Sequence, residues 1–158
     1  MAQETAPESA PATLKAHHVL EFPGGYKRSV GPVISKFLTG LRDGKVVGVK
    51  LADGRVLVPP TEYDPITSEP TGDVVEVGPG GIVTSYSWIA EPRPKHPLQK
   101  PFAWALIRFD GADTSFLHAV DVADESAISA GLRVTPKWKA ERSGHVKDIE
   151  CFVPEGTS

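Results

Sequence analysis

Cysteine is almost absent: Cys151 is the one thiol in a chain of 158 residues. A single thiol closes no intramolecular disulfide and cannot supply a four-cysteine zinc site. An excess of positive charge is missing too. Seventeen lysines and arginines stand against twenty aspartates and glutamates, a net charge of −3. A protein built to grip phosphate backbones usually carries the opposite sign, so nucleic acid is not the expected partner. No apolar run approaches the ~18–20 residues of a membrane span. The acidic start, Met1 to Pro11, lacks the basic and apolar regions of a signal peptide, and the cytoplasm is the expected compartment.

What is present has a globular composition, 40% hydrophobic and 23% charged. Fifteen glycines and fifteen prolines make up about a fifth of the chain against an average of ~12%, which favours a turn-rich β protein over a helical bundle. Residues 1–18 read as a disordered tail, since Leu14 is their only large aliphatic side chain after Met1. Leu20-Glu21-Phe22 followed by Pro23-Gly24-Gly25 reads as a short extended arm ending in a turn. Pro32 suits the first turn of a helix, where its missing N–H would be unpaired anyway, with Ser29 or Gly31 as the cap. Val33, Phe37 and Leu41, flanked by Ile34 and Leu38, recur at the helical period. They predict a helix from Pro32 to Asp43, stopped by Gly44.

Beyond Lys45 the pattern becomes one of strands. Residues 45–50 and 55–58 flank Leu51-Ala52-Asp53-Gly54, and Asp-Gly is a strong hairpin signal. Pro59-Pro60 ends the second strand, because neither residue donates to a ladder. Residues 62–72 read as loop and Asp73 to Val77 as a strand. Five further strands are predicted at 81–90, 102–109, 115–122, 132–140 and 146–153, with Gly111-Ala112-Asp113 as a hairpin turn and Pro136 as an edge or bulge residue. A short segment of helical propensity, 123–130, separates the third of these strands from the fourth. That order of elements is the order of an OB-fold barrel.

Five stretches carry a family resemblance: Phe37-Leu38-Thr39-Gly40-Leu41-Arg42-Asp43-Gly44, Gly54-Arg55-Val56-Leu57-Val58-Pro59-Pro60, Gly80-Gly81-Ile82-Val83-Thr84-Ser85-Tyr86, and, near the end, Gly131-Leu132-Arg133-Val134 and Cys151-Phe152-Val153-Pro154. In this order, over about residues 32–155, they resemble bacterial and archaeal proteins with an N-terminal helix, a rubredoxin-like zinc ribbon and a C-terminal OB-fold. Those proteins accompany thiolases, thiolase-like lipid-transfer aldolases and hydratases in acyl-CoA metabolism. The resemblance implies a mainly β chain: an arm and helix over 19–44, a zinc-ribbon-like region over 45–78 and a five-stranded OB-fold barrel over 79–156.

The departure from the family is at the ribbon. Its two Cys-x-x-Cys pairs would fall at Lys50 and Asp53 and at Asp64 and Thr67. A lysine ammonium cannot bind zinc and a threonine hydroxyl is a poor ligand, so no metal is expected. Asp64-Pro65-Ile66-Thr67 can keep the shape of the turn, since an aspartate can bond its own backbone. One expectation is that Lys50 pairs with Asp53 or Asp64 across the former site. The ribbon would otherwise depend on packing against a partner or the barrel.

The loop 91–101 joins the first two barrel strands, and in OB-folds that loop often belongs to the ligand face. Its four prolines restrict it, and Arg93, Lys95, His96 and Lys100 concentrate basic groups on an acidic protein. They fit the phosphates of coenzyme A or an acidic partner surface, and equally a stiff, solvated connector. His118 shares a strand face with Phe116 and Val120. It could meet a thioester carbonyl, or be a half-buried strand residue with a local partner. No nucleophile–base pair is readable, no catalytic residue is assigned, and Cys151 reads as a packed side chain. Trp88, Trp104, Trp138, Tyr86, Phe102 and Phe109 could stack bases or fill the barrel and an interface. By resemblance the chain is expected to be an accessory subunit of a thiolase-like enzyme, with a coenzyme A thioester as the substrate of the complex and no tightly bound cofactor of its own. The reaction would be thiolysis or retro-aldol cleavage, and a hydratase is a further partner class. A single-strand nucleic-acid binder and a stand-alone acyl-CoA binder or thioesterase are the alternatives.

Overall fold

The computed structural model describes residues 19–21, 24, 25 and 27–157. The tail expected over 1–18 and the Phe22-Pro23 part of the first turn lie outside the described residues. Strand β1 (Val19–Glu21) pairs antiparallel with β2 (Lys27–Ser29). Helix α1 (Pro32–Arg42) follows, with Pro32 in its first turn and Gly31 at the N-cap. Glycine offers no capping side chain, and Glu62 supplies one from a distant loop. Its Oε1 accepts from the N–H groups of Val33 at 2.9 Å and Ile34 at 3.0 Å, placing a carboxylate on the positive end of the helix. Asp43 has left the helical path. Its N–H bonds the Thr39 carbonyl at 3.0 Å, and Gly44, at φ +75°, bonds Leu41 at 3.1 Å. The stripe of Val33, Phe37, Leu38 and Leu41 is buried.

A three-stranded antiparallel sheet follows, in the order β4 (Val56–Leu57), β3 (Val46–Lys50), β5 (Asp73–Val77). The hairpin closes through Leu51 and Arg55, as the Asp-Gly signal predicts. At Gly48 an added Cβ would lie 2.7 Å from the Leu57 carbonyl oxygen and 2.8 Å from Val56, so glycine lets β4 lie this close. The second hairpin strand is shorter than expected because β4 turns its outer edge to the barrel. Val56 N–H donates to Asp113 Oδ2 at 2.8 Å and Val58 N–H to Thr114 Oγ1 at 2.8 Å. In return Asp113 N–H donates to the Val56 carbonyl and the Thr114 hydroxyl to the Val58 carbonyl, at 2.8 and 2.9 Å.

The barrel comprises β6 (Gly81–Ile89), β7 (Phe102–Phe109), β8 (Phe116–Val120), β9 (Arg133–Trp138) and β10 (Ile149–Pro154). It closes in the order β10-β8-β7-β6-β9, with β8 and β10 parallel and every other pair antiparallel. This is OB-fold topology. Pro136 sits on β9 beyond Val134, past the register in which β9 meets β6. Two expected elements contract. The helical segment over 123–130 is a single 3-10 turn, Glu125–Ala127, capped by Asp124, because Ile128 then turns into the core at 3% exposure. The last strand starts at Ile149 rather than 146, because Val146–Asp148 forms a 3-10 turn around the buried Asp148 carboxylate. Helix residues Phe37, Leu38 and Leu41, ribbon residues Val46, Val58 and Val77, and barrel residues including Ile107, Phe109 and Phe152 make one continuous core. The ribbon-like sheet therefore rests on the barrel. Among the described residues no helix is long and apolar enough to cross a membrane.

Candidate functional site

Parallel strands β8 and β10 share one register position, Phe152 opposite Val120. Towards Phe116 and Ile149 they part, and the barrel wall opens into a hollow of about 460 Å³. Its walls include Trp104, Phe116, Leu117, Val146 and Ile149, and its polar groups are Lys95, His96, His118, Lys139, Lys147 and Glu150. His118 reaches from β8 to the turn that precedes β10: its ring Nε2 lies 3.3 Å from the Val146 carbonyl and donates to it. The ring stacks on Phe116 at 5.7 Å and meets Phe152 edge-on at 5.4 Å. Burial pushes the imidazole below its ordinary pKa, against the pull of the Val146 and Ala119 backbone groups, with the Lys139 charge adding to the fall. The ring is accordingly neutral near pH 7. The residue is buried, at 8% exposure, with the Val146 carbonyl as a local partner, and it also lies on the wall of the hollow.

The loop 91–101 is a folded cover over the outer barrel face. Leu98 packs against the cluster of Phe102, Ala119 and Cys151. His96 accepts the Arg93 N–H at Nδ1, 3.1 Å, and sets its ring edge-on to Phe102 at 5.5 Å and Trp104 at 6.4 Å. Of the four basic residues singled out on this loop, Lys95 and His96 reach the hollow. Arg93 and Lys100 do not, and Lys100 instead forms an ion pair with Asp121 at 2.7 Å. In their place stand Lys139 and Lys147, which sequence reasoning missed. The one signal available for them was a cluster of lysines around the last two strands. Lys137, nearby, is paired with Glu150 at 3.1 Å. Lys95, Lys139 and Lys147 have no carboxylate partner among the described residues. With the Glu150 carboxylate of the same hollow taken up by Lys137, three ammonium groups without a partner among the described residues stand around an apolar slot, which suits an anion that carries an apolar part.

The alternative sites are less well furnished. Phe102 and Phe109 are fully buried and the three tryptophans half-buried, so of the six aromatic residues considered for base stacking only Tyr86, 41% exposed, is open to solvent. Cys151 is completely buried, and burial, with Asp121 and Glu150 nearby, pushes its thiol up to about 11. A thiol in that state is a poor nucleophile. At the ribbon, Lys50, Asp64 and Thr67 line a second hollow of about 420 Å³, and Asp53 stands apart from it. The pairing expected for Lys50 is not formed. Asp53 bonds Arg55 Nε at 2.7 Å, and Asp64 Oδ1 accepts from the N–H groups of Ile66 at 2.7 Å and Thr67 at 3.2 Å. No group of three or more His, Cys, Asp or Glu side chains among the described residues is arranged to hold a metal ion.

Fold and hollow together define the class: an OB-fold protein fronted by a helix and a ribbon-like sheet, with an opening in the barrel wall between β8 and β10. Residues 74–139 match the family of the ChsH2 C-terminal OB-fold domain. A crystal structure of a DUF35-family protein of unknown function from Sulfolobus solfataricus is similar at 26% identity and a TM-score of 0.56, over 68% of this chain and 78% of that one. The Ltp2-ChsH2(DUF35) aldolase is similar in fold, at 20% identity and a TM-score of 0.59, over 80% of this chain and 98% of the matched one. No curated protein matches the chain in sequence. Over residues 74–139 the chain is thus similar to the ChsH2 OB-fold domain, and it shares its fold with the two DUF35 structures.

Proposed function

We propose that this protein is an accessory subunit of a thiolase-like aldolase complex acting on coenzyme A thioesters, with the catalytic groups on the partner. The observation that supports this reading is the hollow between β8 and β10, apolar within and edged by three lysines that have no carboxylate partner among the described residues, on a fold shared with an aldolase structure. Coenzyme A joins several phosphates to a long thioester arm. Lys95, Lys139 and Lys147 would meet the phosphates, and Trp104 and Leu117 would border the apolar part. His118 would act as a fixed, neutral wall residue and not as a base. Leu106 and Leu117, 40% and 59% exposed, lie opposite one another on β7 and β8 and offer an apolar patch to the partner. The reaction of the complex would be thiolytic or retro-aldol carbon–carbon cleavage, with a branched or sterol-type side chain as its context.

Co-expression with the thiolase-like protein encoded nearest to it should raise the yield of soluble chain and give a complex that survives gel filtration. A stable monomer that captures no thiolase-like protein from its own cells would sink the proposal. Within the complex, Lys139→Glu combined with Lys147→Glu should raise KM for the thioester about tenfold while kcat stays near its original value. An unchanged KM would remove the coenzyme A contact and leave the subunit role standing.

A further inference from the structure

We propose that the ribbon of this protein folds without metal because its two loops are fastened to the rest of the molecule instead of to each other. A ribbon zinc cross-links a hairpin to a neighbouring loop. Here the four positions do not fit one: Lys50 has no lone pair to give when charged, Asp53 is engaged by Arg55, Asp64 holds its own turn, and the Thr67 hydroxyl accepts the Glu69 N–H at 3.3 Å. Each loop has a separate anchor. The hairpin is tied to the barrel by the four bonds between Val56 and Val58 on one side and Asp113 and Thr114 on the other. The loop over 61–71 is tied to helix α1 by Glu62, and closed on itself by Thr71 N–H to the Glu62 carbonyl at 2.9 Å and Asp64 N–H to Glu69 at 2.8 Å.

The barrel side of the hairpin anchor is itself fixed. Arg133 on β9 holds Asp110 at the start of the β7–β8 turn through two bonds of 2.6 and 2.7 Å, and Glu155 near the end of the chain at 2.9 Å. The strap is thus continuous from the last barrel strands to the ribbon. With no thiolate in the ribbon, its shape is indifferent to metal supply and to thiol oxidants alike.

The test uses the full chain, produced in zinc-supplemented medium. Elemental analysis should find no stoichiometric zinc, and the melting curve should be the same with and without EDTA. One zinc per chain, or a melting temperature that falls on chelation, would overturn the proposal. Amide hydrogen exchange tests the anchor. Thr114→Val should speed exchange at Val58 roughly tenfold while Val83 in the barrel keeps its protection, and Thr114→Ser should restore the original rate. Exchange at Val58 that ignores Thr114→Val, or that Thr114→Ser fails to restore, would show that the barrel does not hold the hairpin.

Discussion

Phe152→Ala is expected to remove about 3–5 kcal/mol of folding stability, the range for emptying a buried aromatic site. Phe152 is fully buried, 5.7 Å from Phe109 and 5.4 Å from His118 between ring centres. It also stands at the one register position where β8 and β10 meet, so the cavity would open where the barrel closes. Against a total of roughly 5–15 kcal/mol for a domain of this size, that loss is about a fifth or more of the whole. Urea unfolding should show a lower midpoint at an unchanged slope. A midpoint like that of the original protein would mean that the seam between β8 and β10 is not held from inside. Leu117→Ala is the control, since it lies in the same strand but is 59% exposed and should change stability by no more than about 0.5 kcal/mol.

Asp148→Ala should be the second large loss, about 2–4 kcal/mol, with a pH signature of its own. The carboxylate is 3% exposed and accepts N–H bonds from Ser143 at 3.1 Å, Gly144 at 2.7 Å and His145 at 2.9 Å. Burial alone would raise its pKa, but those backbone bonds outweigh burial and bring it below the ordinary carboxylate value. A depressed carboxylate contributes stability that is present above its unfolded value of ~3.9 and is lost as pH falls through the folded value. The gap between original and variant should therefore be full at pH 7 and narrow in strong acid. Equal gaps at both pH values would exclude the carboxylate as the cause. His118 acts from the other direction of the scale: with its pKa lowered, acid favours the unfolded chain once pH drops below ~6.5. Asp148 also shapes the site, because the turn that it organises carries the Val146 carbonyl that holds His118 and places Lys147 on the rim.

The candidate site was half legible. Lys95, His96 and His118 could be picked out because basic groups crowded into a proline-rich loop, and a histidine amid apolar strand residues, are local patterns. Arg93 and Lys100 sat in the same crowd, and nothing in the sequence distinguished a lysine that reaches the hollow from one that pairs with Asp121. Lys139 and Lys147 belong to the site only because the chain from β9 to β10 passes the opening in the barrel wall.

Whatever depends on neighbours along the chain was determined by the sequence alone. The spacing of Val33, Phe37 and Leu41 specified the helix face, Asp53-Gly54 the hairpin, and the run of apolar strands the order of the barrel, because helical and strand periods are local properties. The missing ribbon ligands were equally plain. The tertiary structure decided which distant groups meet: Glu62 on the end of helix α1, Asp113 and Thr114 along β4, Arg42 by its carbonyl with Arg142, and three lysines around one opening. Barrel closure fixes where each loop emerges, and a hydrogen bond or a charge cluster forms wherever two loops are brought within reach. No period along the chain encodes that meeting.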